Sequence, residues 1–67
     1  MNEMKLRGRI REKFGTQEAF AKAMGMSETT LSSKLNGKTD WTRQEIEKAG
    51  KLLGIPIEEI PSYFFAD

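Results

Sequence analysis

The side chains best suited to chemistry in this sequence are hydroxyls and a carboxylate within residues 27–36. They are Glu28, Thr29, Thr30, Ser32 and Ser33. Short hydroxyl side chains let a helix backbone approach base edges in a DNA major groove, and a carboxylate can accept a hydrogen bond from cytosine N4. An ordinary solvated helix would more often carry Lys, Glu or Arg. We therefore predict that these five residues read DNA bases. The alternatives are simple exposure to solvent and, for Glu28, a favourable charge at a helix N-terminus.

The helical phase of this segment supports the same prediction. Leu31 and Leu35 are spaced to lie on one buried face. At 100° per residue, Ser33 then points directly away from the core, and Thr29 and Thr30 lie within about 60° of that direction.

Residues 17–36 predict two short helices joined by a tight turn. Ala21 is small at the point where a second helix must cross closely, and Gly25 can adopt the left-handed conformation that ends a helix. Met26 and Leu31 then face back toward the first of the two helices. Helices crossed in this way form a helix-turn-helix, in which the second helix reads a DNA groove.

Residues around these helices are candidates for binding phosphate, which carries most of the affinity in DNA recognition. Thr16 and Gln17 open the second helix, where free backbone N–H groups and the helix dipole attract anions. The full predicted phosphate-binding set is Thr16, Gln17, Lys34, Asn36, Lys38 and Arg43.

The whole chain predicts five helices and no strands, and hence a compact all-α domain spanning residues 1–67. An amphipathic pattern indicates a first helix over about 3–14. Thr42 and Glu45 predict a capping box at the start of the fourth helix. A fifth helix is expected from Ile57, with Pro61 kinking or ending it.

Composition excludes several functions. The 67 residues contain no cysteine and no histidine, which removes thiolate and imidazole ligands and the usual nucleophile–base pairs. We predict that the protein is not an enzyme and has no catalytic residue, metal, cofactor or small-molecule ligand. No apolar run approaches the roughly 20 residues of a membrane span, so we expect no membrane association and a cytoplasmic location.

Charge is distributed unevenly along the chain. Residues 1–38 hold eight basic and four acidic residues, whereas residues 39–67 hold three basic and six acidic residues. This asymmetry suggests one face for a polyanion and one turned away from it. A surface of mixed, solvated charge is the alternative.

The aromatic tail, Tyr63, Phe64 and Phe65, is the predicted homodimer interface. Two adjacent phenylalanines cannot both face one core from the same helical turn, so at least one is expected to be exposed. The alternatives are that both fold back against Trp41 or the first helix, or that the dimer forms around Leu53 and Ile57.

These motifs resemble those of the lambda-repressor-like helix-turn-helix family, the Cro/C1 or XRE-type bacterial and phage regulators. The resemblance covers residues 5–60, and the matching positions are Thr16-Gln17, Ala21, Gly25, Leu31 and Asn36-Gly37-Lys38. The segment 55–60 and the aromatic tail are similar to a narrower group of small phage Cro-like regulators.

The resemblance implies a five-helix fold and a dimer that represses transcription from palindromic operators. It places Gln17, Glu28, Thr29 and Ser33 at DNA-contact positions. One departure is Lys34, where many members of the family have an apolar residue, with Leu35 following one position later. A slight rotation of the third helix is the expected consequence.

Taken together, the sequence predicts a sequence-specific double-stranded DNA-binding regulator, a repressor of phage or prophage type that acts as a dimer. The alternative is a protein-binding module of the same fold, such as an antitoxin or antirepressor. In that case the acidic C-terminal half and the aromatic tail would form the working surface.

Overall fold

Five α-helices and no strand make up residues 1–65, the part of the chain that the computed structural model describes. The helices are α1 (Glu3–Phe14), α2 (Gln17–Met24), α3 (Glu28–Leu35), α4 (Arg43–Leu53) and α5 (Ile60–Phe64), with a 3₁₀ turn at Ile57–Glu59. The predicted all-α, five-helix fold is confirmed. No helix within this part is long and apolar enough to cross a membrane.

Hydroxyl side chains begin three of the helices. The Oγ1 atom of Thr16 accepts from the backbone N–H of Ala19 at 3.1 Å, and Ser27 caps α3 in the same way. At α4, the Thr42 side chain accepts from the Glu45 backbone N–H, and the Glu45 carboxylate accepts from the Thr42 backbone N–H. The predicted capping box is therefore present, and it satisfies donors that a helix start leaves free.

The prediction that Pro61 kinks or ends the last helix is wrong. Pro61 lies in the first turn of α5, where the missing N–H of proline leaves no helical hydrogen bond unmade. The chain reaches this point through a separate 3₁₀ turn that follows Pro56. Tyr63 and Phe64, which follow Pro61 in this helix, are turned toward the core.

One hydrophobic core holds the five helices together. Its fully buried large side chains are Phe20, Leu6, Ile10, Leu31, Leu35 and Leu53. Phe14 and Phe20 join α1 to α2, with ring centroids 5.2 Å apart. The backbone N–H of Asn2 donates to the carbonyl of Tyr63 at 3.1 Å, which ties the first helix to the last.

Gly8, in the middle of α1, has no packing partner that explains it. A Cβ atom built there meets nothing within 4 Å. We expect Gly8→Ala to raise the free energy of unfolding by about 0.5–1 kcal/mol, because alanine loses less backbone entropy in a helix. Urea denaturation followed by circular dichroism measures the change.

Gly25→Ala is the matched control for that substitution. Gly25 has φ of +76°, a conformation that costs other residues about 1–2 kcal/mol. This variant should therefore lose stability. A loss of stability in Gly8→Ala would show that α1 needs a bare backbone at that position.

Candidate functional site

The third helix presents its two threonines outward, as its phase predicts. Leu31 and Leu35 are fully buried, whereas Thr29 and Thr30 are exposed. Ser33 is half-buried rather than fully exposed, and the backbone N–H groups of Lys38 and Thr39 in the next loop donate to its carbonyl. Glu28 and Lys38, of opposite charge, border the same shallow surface.

Local hydrogen bonds already involve part of this surface. The Ser27 hydroxyl donates to the Thr30 Oγ1 atom at 2.9 Å while accepting from the Thr30 backbone N–H. Ser32 is half-buried. The result is a small, polar and nearly neutral face rather than a strongly basic one.

The prediction that Lys34 binds phosphate is wrong. Its side chain is 6% exposed and its Nζ atom lies 2.9 Å from the Glu45 carboxylate and 3.0 Å from the carbonyl of Asp40. The ammonium also lies 5.9 Å from the centroid of the Trp41 ring. Both Lys34 and Leu35 face inward, because the aliphatic stem of lysine can pack in a core when its charge has a partner.

The other residues predicted to bind phosphate differ in their burial and in their hydrogen bonds. Asn36 accepts a 2.9 Å hydrogen bond from the Arg7 guanidinium through its Oδ1 atom. Thr16 serves as the cap of α2, and Gln17 is half-buried. Lys38 and Arg43 are exposed.

Two cations of α1, Arg7 and Arg9, bind other groups of the same molecule. Arg7 pairs with Glu3 at 2.7 Å. Arg9 pairs with Glu12 at 3.1 Å and donates to the carbonyls of Leu53 and Gly54 at 2.9 Å each. Arg9 thereby joins α1 to the end of α4, whereas Arg11 and Lys13 of the same helix are exposed, so only part of the basic surplus is paired within the molecule.

A further cation of α1 behaves in the same way. The Lys5 ammonium donates to the Ser62 hydroxyl at 2.8 Å and lies 4.5 Å from the centroid of the Tyr63 ring. It thereby holds α5 against α1.

The aromatic tail is not a dimer interface as predicted, because two of its three side chains belong to the core. Tyr63 and Phe64 are each 6% exposed, and the Phe64 ring meets Trp41 edge-on with centroids 5.3 Å apart. Phe65 is 63% exposed, which confirms that one of the adjacent phenylalanines faces solvent. For the alternative surface, Leu53 is fully buried and Ile57 is exposed.

Among residues 1–65, no group of three or more acidic, histidine or cysteine residues is arranged to hold a metal ion. An apolar groove lies between α4 and the segment that leads into α5, in the region where the sequence placed the alternative dimer surface around Leu53 and Ile57. Ile57 and Ile60 line it. The sequence named Ile57 for that alternative surface, but it did not predict that Ile46 and Ile55 line a groove beside it.

Residues 2–67 match the family described as "Protein of unknown function (DUF739)", and the chain belongs to that family. A comparison with curated proteins found no match. Among solved structures, the chain is similar to the solution structure of the modulator of repression (MOR) of the temperate bacteriophage TP901-1 from Lactococcus lactis. The two are 50% identical, with a TM-score of 0.84, over 96% of this chain and 86% of that chain.

This similarity overturns the predicted function and the predicted partners. The protein from TP901-1 is a modulator of repression. The prediction of an operator-binding homodimer is therefore wrong, although the helix-turn-helix geometry from which it was derived is present. A fold does not fix what its surface binds. The specific resemblance to the Cro/C1 and XRE-type regulators stays a prediction.

Proposed function

We propose that this protein is a phage-type modulator of repression that acts by binding a repressor protein. The observation that carries the proposal is the 50% identity, over nearly the whole chain, with the modulator of repression of a temperate phage. This proposal corresponds to the alternative function predicted from the sequence, a protein-binding module of the same fold such as an antirepressor. Its action is non-catalytic, because it changes the activity of another protein through binding.

The surface chemistry of the chain supports this proposal. The outward face of α3 is nearly neutral, and Arg7 and Arg9 form ion pairs and hydrogen bonds within the molecule. DNA binding depends on several cations that neutralise phosphates together. A small polar face with almost no net charge is closer in character to a protein–protein interface than to a phosphate-binding surface.

Three measurements test the proposal, with the repressor of the phage or prophage that encodes this chain. Isothermal titration calorimetry should detect a complex between the two purified proteins. Fluorescence anisotropy should show that adding this protein changes the affinity of the repressor for its labelled operator. The protein alone should not shift the anisotropy of operator or nonspecific duplex at physiological salt.

Two outcomes would contradict the proposal. One is the absence of any heat of binding, with operator titrations that superimpose with and without this protein. The other is tight, salt-dependent binding of this protein to the duplex by itself, since that would identify a DNA-binding protein.

A further inference from the structure

We propose that the groove between α4 and the segment leading into α5 docks an amphipathic helix of the repressor that carries aliphatic residues flanked by Lys or Arg. This inference rests on the proposed function and names the surface that performs it. The groove has a volume of about 400 Å³. Its apolar lining consists of Ile46, Ile55, Ile57, Ile60 and Pro61.

Close packing between α4 and α5 forms the floor of the groove. A Cβ atom on Gly50 would lie 2.7 Å from the Ile60 Cδ1 atom, so the bare backbone of Gly50 lets Ile60 approach the helix directly. Ile55 is buried beside it. The floor is therefore part of the folded domain and exists before any partner arrives.

Ile57 forms the wall of the groove and does not pack in the hydrophobic core. It is 85% exposed, in the 3₁₀ turn that precedes α5. Isolated exposed aliphatic residues are common on protein surfaces. Ile57 differs because it stands beside an apolar groove, which gives a partner side chain both a floor and a wall to contact.

The apolar surface continues beyond the groove. Ile46 also lines a neighbouring cavity of about 470 Å³, together with Trp41 and Phe65. Phe65 is largely exposed at its edge. Because the two cavities share Ile46, apolar side chains continue from the groove to Trp41 and Phe65, which suits a helix that makes several contacts along one face.

Charge at the rim indicates the chemistry of the occupant. Glu47 and Lys51 line the groove, and Glu58 and Glu59 are exposed in the turn that also carries Ile57. Residues 39–67, which contain the whole groove, hold six acidic and three basic residues. An occupant with basic residues beside its aliphatic ones would be complementary.

The same charges disfavour a second copy of this chain as the occupant. A twofold-symmetric dimer through the groove would place the same patch on both subunits. Glu58 and Glu59 would then lie against a surface with a surplus of negative charge. A different, basic partner avoids this repulsion.

The test compares two equally exposed apolar residues. Ile57 and Met4 are each 85% exposed, but Met4 lies on α1, outside the groove. The affinity of Ile57→Ser and Met4→Ser for the intact repressor is measured by calorimetry, after thermal melts confirm that both fold. We expect Ile57→Ser to weaken binding by about tenfold or more, the value of burying one aliphatic side chain. Met4→Ser should bind as the wild type does.

A charge-reversal pair tests the rim. Glu58→Lys should weaken binding and reduce its dependence on salt. Glu18→Lys, an exposed position on α2, should do neither.

The outcomes separate this inference from the proposed function. If the wild type binds the repressor and Ile57→Ser binds equally well, the groove assignment is overturned while the proposed function stands. If Ile57→Ser instead lowers self-association measured by sedimentation, the occupant is a second copy and the inference is wrong. If the wild type binds no repressor, both fail together.

Discussion

Replacement of Phe64 by alanine is expected to lower the free energy of unfolding by about 3–4 kcal/mol, because it removes a buried aromatic ring and leaves a cavity. Phe64 is 6% exposed and packs edge-on against Trp41. In a domain of this size, each kcal/mol shifts the melting midpoint by about 4–8 °C. Thermal melts followed by circular dichroism should therefore show a fall of more than about 10 °C.

The adjacent residue supplies the control. Phe65→Ala, at a position 63% exposed, should change stability by no more than about 0.5 kcal/mol. Equal losses in the two variants would mean that both rings are packed in the folded protein, and would contradict the division of the aromatic tail into a core part and a surface part.

The second large effect concerns Lys34. Lys34→Ala is expected to cost about 2–3 kcal/mol, because it leaves the Glu45 carboxylate without its cation and removes the aliphatic stem beside Trp41. The estimate lies below that for a fully buried pair because Glu45 is about one quarter exposed. Urea denaturation measures the loss. Lys38→Ala, an exposed lysine of the following loop, should leave stability nearly unchanged.

The same ion pair makes stability depend on pH. Desolvation raises the pKa of Glu45, but the hydrogen bond from the Thr42 backbone N–H and the pairing with Lys34 outweigh it and hold the pKa below its ordinary value. A carboxylate whose pKa is lowered on folding stabilises the fold above its unfolded pKa, about 4.3, and this contribution is lost as the pH falls through the lower folded value.

Lys34→Met separates the charge from the packing. Methionine keeps an unbranched aliphatic stem but cannot pair with Glu45. Its stability should therefore fall less steeply than that of the wild type as the pH drops below about 4.3. Parallel pH profiles for the two proteins would show that the pair does not lower the pKa of Glu45.

The helix-turn-helix illustrates what local pattern does and does not determine about function. The inward leucines and outward threonines of α3 lie where the helical phase places them. The inference from that face to an operator failed, because one fold can present surfaces that bind different partners. The basic surplus of residues 1–38 was also a poor guide, since Arg9 in that half donates to carbonyls more than 40 residues away along the chain.

What the sequence alone determined was the local structure. The caps at Thr16, Ser27 and Thr42 and the left-handed glycines were predictable, because each depends on hydrogen bonds and backbone angles within about four residues. The burial of Leu31 and Leu35 followed from the same short-range periodicity.

Only the tertiary structure decided how distant residues meet. The pairing of Lys34 with Glu45, the choice of Phe64 over Phe65 for the core, and the groove beside Ile57 all depend on the way α4 and α5 pack on the rest of the molecule. Periodicity orients a side chain relative to its own helix. It does not say which other helix, partner charge or open surface that side chain will face.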